Sequence, residues 1–423
     1  MNTQSSRITI TTILLLCLIP LVAAIAPRGL AFIAPITGLI AFMGYTLRDY
    51  KMPLPSRNSI CALCTALALM SASVLWGHDA DAITWKYPVK TAPLFLGIAL
   101  LAGVIAHYRD EIAPRLCTAL MSTCLIGAVL VTINLYGDSA IYRAIHPEDI
   151  YLKNLSHLNR SVVATVLLCA LSLFMFTGQR AHGASNKAQR ILAWAIGFAL
   201  IPIIIKTDSQ SAQLATVAGV LCAVIIPYSY NKFWLIPAAT ITALLLSAPF
   251  IAQHLFAYIA SSVEGMAWLK DGYAAARMEI WDFVSRRALD RPWLGHGIEA
   301  TRSIKDFDIA HVYHIENGVL HPHNFAIQTW IEFGLLGATL FSLILTLCLR
   351  GIWRGASING RRAQFTLFAM TLIMAAISYG MWQGWWIGLL GFIFAGAQVF
   401  YPEMDARSDV IKSDKSSGSA ASY

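Results

Sequence analysis

Apolar runs of about twenty residues recur along almost the whole chain and are separated by short polar connections. A helix needs about twenty apolar residues to cross the hydrocarbon core of a bilayer, so this pattern predicts a series of spanning helices. The predicted spans are 8–26, 30–47, 59–76, 90–107, 115–135, 160–177, 190–206, 211–229, 233–251, 325–349, 364–380 and 385–401. The pattern therefore indicates an all-α polytopic membrane protein with about 12 transmembrane helices.

Composition supports this interpretation and excludes an ordinary soluble domain. The 423 residues are 57% hydrophobic and only 13% charged, whereas soluble domains carry about 25% charged residues. Arg7 precedes the first apolar run, as in a signal peptide, but no small-residue cleavage site follows, so we expect a retained helix. The net charge of +8 comes largely from basic loops, which indicates contact with anionic membrane lipids and no binding of nucleic acid.

The distribution of Lys and Arg between the connections predicts the orientation. With the N-terminus inside, the cytoplasmic connections carry more of these cations than the outer ones, as the positive-inside rule requires. This topology predicts four regions: transmembrane helices 1–9 in residues 1–251, a periplasmic loop with amphipathic helices in 252–322, transmembrane helices 10–12 in 323–401, and a disordered cytoplasmic tail in 402–423. The long polar loop then faces the periplasm.

Polar chemistry concentrates where this loop meets the tenth span. Pro322 cannot continue a helix interior, and Asn324 is a good N-cap. The free N–H groups of a helix N-terminus suit an anionic ligand. Their positive field favours a neutral His323, as a general base requires, whereas a bound diphosphate would favour the protonated ring. On spacing alone, His323 could equally be a capping or surface residue, and His321 is at best a supporting residue.

The start of the tenth span holds further polar and small residues. Glu332 lies roughly 12 Å below the helix start, where an acid implies a polar partner, which we expect to be a cation. Gly334 and Gly337 predict the close approach of a neighbouring helix.

The outer loop itself predicts a helix over 271–288, with Asp271 as its N-cap. Arg277 and Trp281 lie four residues apart and so share one face, which would lie along the membrane surface or pack on the bundle mouth. The turn 292–297 is rich in glycine. Arg160 starts the sixth span, and Lys206 and Gln210 flank a short polar turn; on the proposed topology these residues face the same side as Arg277 and His323. Ordinary interfacial anchoring is the alternative explanation for each of these cations.

His323-Asn324, nine residues, Gly334, two residues and Gly337 resemble the signature of the lipopolysaccharide O-antigen ligases. The Arg277–Trp281 pair, the 292–297 turn and one large outer loop after the ninth span add to a resemblance that spans roughly 155–400. It implies a GT-C-type glycosyltransferase in the bacterial inner membrane that moves a glycan from undecaprenyl diphosphate to the lipid A–core oligosaccharide at the periplasmic face.

The resemblance also implies roles for individual residues. His323 would be the essential base and Arg277 the essential loop cation, while Arg160, Lys206, Gln210, Asn324 and Trp281 would contact substrate. Many relatives carry an Arg in the turn before the eighth span where this chain has Ser209-Gln210. Either Lys206 or Arg160 supplies that charge here, or the diphosphate contact at this turn is weaker than in relatives. We expect no metal and no other cofactor, because the diphosphate lipid is already an activated donor and no pair of aspartates lies near His323.

Three alternatives remain open. An O-antigen polymerase would have two comparable outer loops, and this chain has one that dominates. A protein O-oligosaccharyltransferase would be expected to carry an extra C-terminal domain, whereas this sequence ends soon after the last predicted span. A secondary transporter, the non-enzymatic alternative, would show inverted repeats and broken helices, and the sequence shows no internal repeat.

Overall fold

A computed structural model describes residues 3–77, 85–148, 154–181, 186–263, 274–303, 319–355 and 357–397, and these are predominantly helical. The helices are α1 (Thr3–Ile25), α2 (Leu30–Asp49), α3 (Arg57–Ser73), α4 (Lys86–His107), α5 (Arg109–Tyr136), α6 (Ala140–Ile145), α7 (Asn159–Ala181), α8 (Lys187–Lys206), α9 (Gln210–Ile225), α10 (Leu235–Val263), α11 (Ala274–Asp290), α12 (Phe325–Gly355), α13 (Ile358–Ile377) and α14 (Gly384–Ala397). Short 3-10 turns lie at Pro27–Gly29, Val74–Trp76, Leu155–Leu158 and Ala300–Arg302.

Nine helices in the described part of the chain are long and apolar enough to cross a membrane, which confirms a polytopic membrane protein. The predicted spans 211–229 and 385–401 fall on shorter apolar helices, α9 and α14. The predicted span 364–380 falls on α13, which is not among the nine. The total of about 12 spans therefore stays a prediction, and the predicted tail 402–423 lies outside the described residues.

Polar side chains at the helix starts explain where several helices begin. A side-chain oxygen there accepts a hydrogen bond from the backbone N–H three residues later, which satisfies a donor that the helix itself leaves unpaired. This arrangement is found at Ser56, Asn186, Ser209 and Ser357. At α12 the Asn324 side chain accepts from the N–H groups of Ala326 and Ile327 at 3.0 and 3.2 Å. The predicted capping role of Asn324 is therefore confirmed.

Two clusters of buried apolar side chains place α11 in the bundle. The larger cluster joins α1, α2, α4, α5, α7 and their neighbours through residues such as Leu16 and Trp386. The second joins α10, α11 and α12, and it includes Ile280, Val284 and Trp330. The helix predicted in the outer segment is therefore present as α11 and packs on the bundle, although its predicted cap, Asp271, lies outside the described residues.

Helix α12 is broken at Gly334, whose backbone angles are φ 57° and ψ −151°. An unbroken helix would bond the N–H groups of Leu335 and Leu336 to the carbonyls four residues earlier. The turn 292–297 lies in the break and replaces these two bonds with four: His296 N–H to Ile331 O at 2.7 Å, Gly297 N–H to Glu332 O at 2.9 Å, Leu335 N–H to Pro292 O at 2.7 Å and Leu336 N–H to Trp293 O at 3.2 Å. The backbone of α12 therefore stays hydrogen-bonded through the break.

This break explains one glycine of the motif differently from our prediction. A Cβ on Gly334 would lie 2.6 Å from the backbone carbon of Trp293 and 2.7 Å from the carbonyl oxygen of Pro292. The close approach is therefore that of a turn, not of a neighbouring helix. Gly337, the second motif glycine, is crowded by the side chain of Phe333 from its own helix.

We expect Gly334→Ala to destabilise the protein. The backbone conformation of Gly334 is open essentially to glycine and costs another residue about 1–3 kcal/mol, and the added methyl would also displace the 292–297 turn. Gly197→Ala is the matched control, because nothing lies within 4 Å of a Cβ at that helical position. The thermal unfolding midpoint in detergent should fall for the first variant only. An unchanged midpoint for Gly334→Ala would contradict the break.

Candidate active site

His323 lies directly before the cap of α12 in a left-handed backbone conformation, with φ 53°. Such a conformation costs a non-glycine residue about 1–3 kcal/mol, so the surrounding structure must hold it. Its Nδ1–H donates to the carbonyl of Ser378 at 2.7 Å. A carbonyl oxygen only accepts, so Nδ1 carries the proton and the lone pair of the neutral ring lies on Nε2. This half-buried imidazole therefore has the tautomer that a general base acting through Nε2 needs.

Helix α11 places Arg277 and Trp281 beside the start of α12, where His323 lies; this place is called the His323 junction below. Arg277 donates from Nη1 to the carbonyl of Ile377 at 2.9 Å. Trp281, one turn later, donates from Nε1 to the carbonyl of Pro322 at 2.8 Å. The predicted common face of Arg277 and Trp281 is thus confirmed. Arg277 and His323 are bound to successive carbonyls at the end of α13.

His321 shows that positive charges from separate segments converge here. The side chain is 8% exposed. Burial, followed by the neighbouring His323 ring and the charges of Arg302, Arg160 and Arg277, lowers its pKa to about 3. The predicted cations of α7 and α11 therefore lie close enough to act on one imidazole.

Arg160 lies in the first turn of α7, as predicted, and is partly buried. Its Nε is buried and has no hydrogen-bond partner within the described residues. Arg28, from the Pro27–Gly29 turn, lies near enough for its charge to act on Arg160. The role of Arg160 in substrate binding stays a prediction.

Lys206 and Gln210 are both exposed, at the end of α8 and the start of α9. The Lys206 ammonium lies 5.9 Å from the ring centroid of Tyr136. Asp208, between them, accepts a hydrogen bond from the backbone N–H of Leu155 at 2.8 Å. This bond ties the turn to the segment just before α7. The roles of Lys206 and Gln210 in substrate binding stay predictions.

Glu332 is fully buried, and its hydrogen-bond partners differ from our expectation of a cation. Its carboxylate accepts from the Gln328 amide at 2.8 Å and from the Trp382 indole N–H at 2.6 Å. The amide oxygen of Gln328 in turn accepts from the backbone N–H of Met381 at 2.9 Å. Glu332 therefore joins α12 to the segment between α13 and α14, which carries the carbonyl that holds His323.

An apolar pocket of about 220 Å³ opens beside the His323 junction. Its walls come from α10, α11, α12 and α13, and they include Leu245, Ala248, Trp281, Asn324 and Ala376. Its outer wall contains Leu244 and Ile251, which are exposed on the surface of the described bundle. The pocket therefore connects the apolar outer surface to the cap of α12.

Part of this chain is similar to a known protein family. Residues 195–342 match the family model described as O-antigen ligase. This segment is similar to the O-antigen ligase family over about a third of the chain. It runs from α8 into α12 and contains Arg277, Trp281, His323 and both motif glycines of the O-antigen ligase signature. The family resemblance of the sequence is confirmed.

Individual proteins with ligase names also match part of this chain. A protein of Rickettsia prowazekii named "Putative polysaccharide ligase" is 36% identical over 118 residues, 27% of this chain and 29% of that protein. Its counterpart from Rickettsia typhi is 35% identical over the same shares. A Pseudomonas aeruginosa protein named "O-antigen ligase" is 27% identical over 113 residues, 26% of this chain and 25% of that one. Each alignment covers less than a third of the relative's length, and no solved structure matches the chain.

The structure adds residues that the sequence did not single out. Ser378 supplies the carbonyl that holds His323, and Gln383 binds His321. Arg302 pairs with Glu299 at 2.6 Å and also acts on His321. Gln383 and Ser378 lie between two predicted spans with no motif of their own, and Arg302 was one polar residue among many in the long loop. No local signal in the sequence marks these positions.

We expect His321 to make the folded protein sensitive to acid. Its pKa in the folded protein is about 3, whereas the pKa of a histidine in an unfolded chain is about 6.5. Between these values the unfolded chain binds a proton that the folded chain does not, so stability is fully present above about pH 6.5 and is lost as the pH falls toward 3. Lowering the pH from about 6.5 to 4.5 should reduce the unfolding midpoint of the wild type more than that of His321→Asn. Equal reductions would contradict the depressed pKa.

Proposed function

We propose that this protein is a membrane glycosyltransferase of the O-antigen ligase type, with a GT-C-type architecture. It transfers a polysaccharide from undecaprenyl diphosphate to the lipid A–core oligosaccharide at the periplasmic face of the inner membrane. The observation that carries the proposal is the tautomer of His323, held by the Ser378 carbonyl beside converging guanidinium groups. The similarity of residues 195–342 to the O-antigen ligase family supports the reaction class.

The chemistry needs one base and one stabilised leaving group. The acceptor hydroxyl gives its proton to Nε2 of His323 as its oxygen attacks the anomeric carbon of the donor sugar. The bond between that carbon and the diphosphate oxygen breaks, and its electron pair leaves with the lipid diphosphate. General-base catalysis of this kind contributes typically about 10²–10⁴-fold.

The guanidinium groups act on the departing diphosphate. Negative charge grows on that group in the transition state, and fixed cations in a partly dry site stabilise it strongly. Arg277 is already oriented by the Ile377 carbonyl, so little reorganisation is needed when the charge develops. Arg160 offers a buried Nε with no partner in the described chain. Lys206 and Gln210 remain candidates for contacts further along the donor.

The apolar pocket suits the polyprenyl chain of the donor. It begins at the outer apolar surface of α10 and ends beside Trp281 and Asn324, one residue from the base. A chain lying there would reach the reactive centre from within the bilayer, so its diphosphate would lie at the mouth of the pocket near Arg277. This lateral approach fits an enzyme whose donor and acceptor are both membrane lipids.

His323→Ala should fold and insert normally but lose transfer by about 10²–10⁴-fold, because the base is gone. The measurement is the lipopolysaccharide profile of a strain with only the variant, which should accumulate lipid-linked polysaccharide and unsubstituted lipid A–core. His107→Ala is the matched control, since that ring bonds the Gly103 carbonyl of its own helix at 2.9 Å. Persisting polysaccharide ladders in His323→Ala would contradict the role of His323 as the general base.

Arg277→Lys should also be impaired, although the charge is kept. One ammonium group cannot hold the Ile377 carbonyl and present a planar pair of donors to the diphosphate. We expect kcat/KM to fall roughly tenfold or more, the scale of one charged hydrogen bond. Arg286→Lys, on the same helix in an exposed pair with Asp282, is the control. Near-normal transfer by Arg277→Lys would reduce Arg277 to an anchor of α11.

A further inference from the structure

His321 is the second imidazole beside the start of α12. Its hydrogen bond is made through Nε2, whereas that of His323 is made through Nδ1. The amide nitrogen of Gln383 lies 2.9 Å from Nε2 of His321. The orientation of that amide is fixed, because the indole N–H of Trp385 can only donate and meets the Gln383 oxygen at 2.8 Å. The Gln383 amide therefore donates to Nε2 of His321. In the neutral ring the proton must then lie on Nδ1.

That Nδ1–H is buried and makes no hydrogen bond within the described residues. Buried polar groups are almost always paired, so the partner of this N–H is a group that the described residues do not supply, such as a ligand atom or a water. The ring cannot turn over to satisfy it without losing Gln383. It also packs against Gly380, where a Cβ would lie 2.9 Å from the His321 ring. His321 is thus a neutral donor held in place by its surroundings.

The two rings lie 4.1 Å apart between centroids. His323 keeps its lone pair on Nε2, and His321 keeps an unpaired N–H on Nδ1. The partner of the His321 N–H must be an acceptor. The charges of Arg160, Arg277 and Arg302 all act on this ring, and they favour an anionic acceptor over a neutral hydroxyl group.

We propose that His321 donates its Nδ1–H to a diphosphate oxygen of the lipid-linked donor and that Gln383 and Trp385 position it for this contact. The inference rests on the proposed function and extends it. The adjacent imidazoles divide the work: His323 accepts the proton of the acceptor hydroxyl, and His321 stabilises the leaving diphosphate without carrying a charge. A neutral donor adds this bond without adding a further cation to a site that already holds several.

The test compares purified full-length variants by kcat/KM for the lipid-linked donor. His321→Ala should fall about 10²-fold, as on removal of one oxyanion donor. His321→Asn should recover most of this loss, because the asparagine amide nitrogen occupies nearly the place of Nδ1. His107→Ala should match the wild type. His321→Ala within twofold of the wild type, or His321→Asn as poor as His321→Ala, would overturn the proposal.

Gln383→Glu tests the tautomer without changing the ring. Its carboxylate would accept from Nε2–H of His321, which leaves Nδ1 as a lone pair at alkaline pH. A second proton taken up as the pH falls restores the Nδ1 donor, so the activity of the variant relative to the wild type should rise toward acid pH. A loss that does not depend on pH would indicate a purely structural role and would overturn the assignment.

Nitrogen-15 spectra of labelled histidines separate this inference from the proposed function. In the wild type, the His321 signals, identified by their loss in His321→Asn, should show a protonated Nδ1 that shifts when inorganic diphosphate is added. An unshifted signal would overturn the contact. If the wild type shows this shift but transfers no polysaccharide to lipid A–core, the proposed function fails and the diphosphate contact of His321 stands.

Discussion

Two successive backbone carbonyls at the end of α13 determine the geometry of the whole site. Ile377 holds the Arg277 guanidinium and Ser378 holds the His323 imidazole, at 2.9 and 2.7 Å. The last carbonyls of a helix have no partner within it and carry its negative dipole end, so they suit cationic and N–H donors. Because one helix end holds both groups, the Arg277 guanidinium and the His323 imidazole keep a fixed separation although they come from different segments of the chain.

Cations from several separate segments act on the His321 ring. Glu299 pairs with Arg302 at 2.6 Å, and Glu332 accepts from the neutral Gln328 and Trp382 donors. Burial and the nearby cations keep His321 neutral over the physiological pH range. Such a field attracts a polyanion.

Sequence pattern predicted those parts of the molecule that depend on local rules. The apolar runs predicted a helical membrane protein. The residue type of Asn324 predicted that it caps α12, and the four-residue spacing of Arg277 and Trp281 predicted that they share one helix face. Contacts made over long distances in the chain could not be predicted in this way. Glu332 was expected to meet a cation because a buried acid usually does, but Trp382, fifty positions away, and Gln328 satisfy it instead.

The break in α12 also links two segments in their unfolding. The amide groups of Leu335 and Leu336 are bonded to the turn 292–297, and two amides of that turn are bonded to α12. Neither partner can leave without exposing backbone groups of the other, so both open as a single cooperative unit. A transmembrane helix usually completes its own hydrogen bonds during insertion. Here the break in α12 is satisfied by a segment 35 to 43 residues earlier, so the helix becomes fully hydrogen-bonded only when that segment has docked.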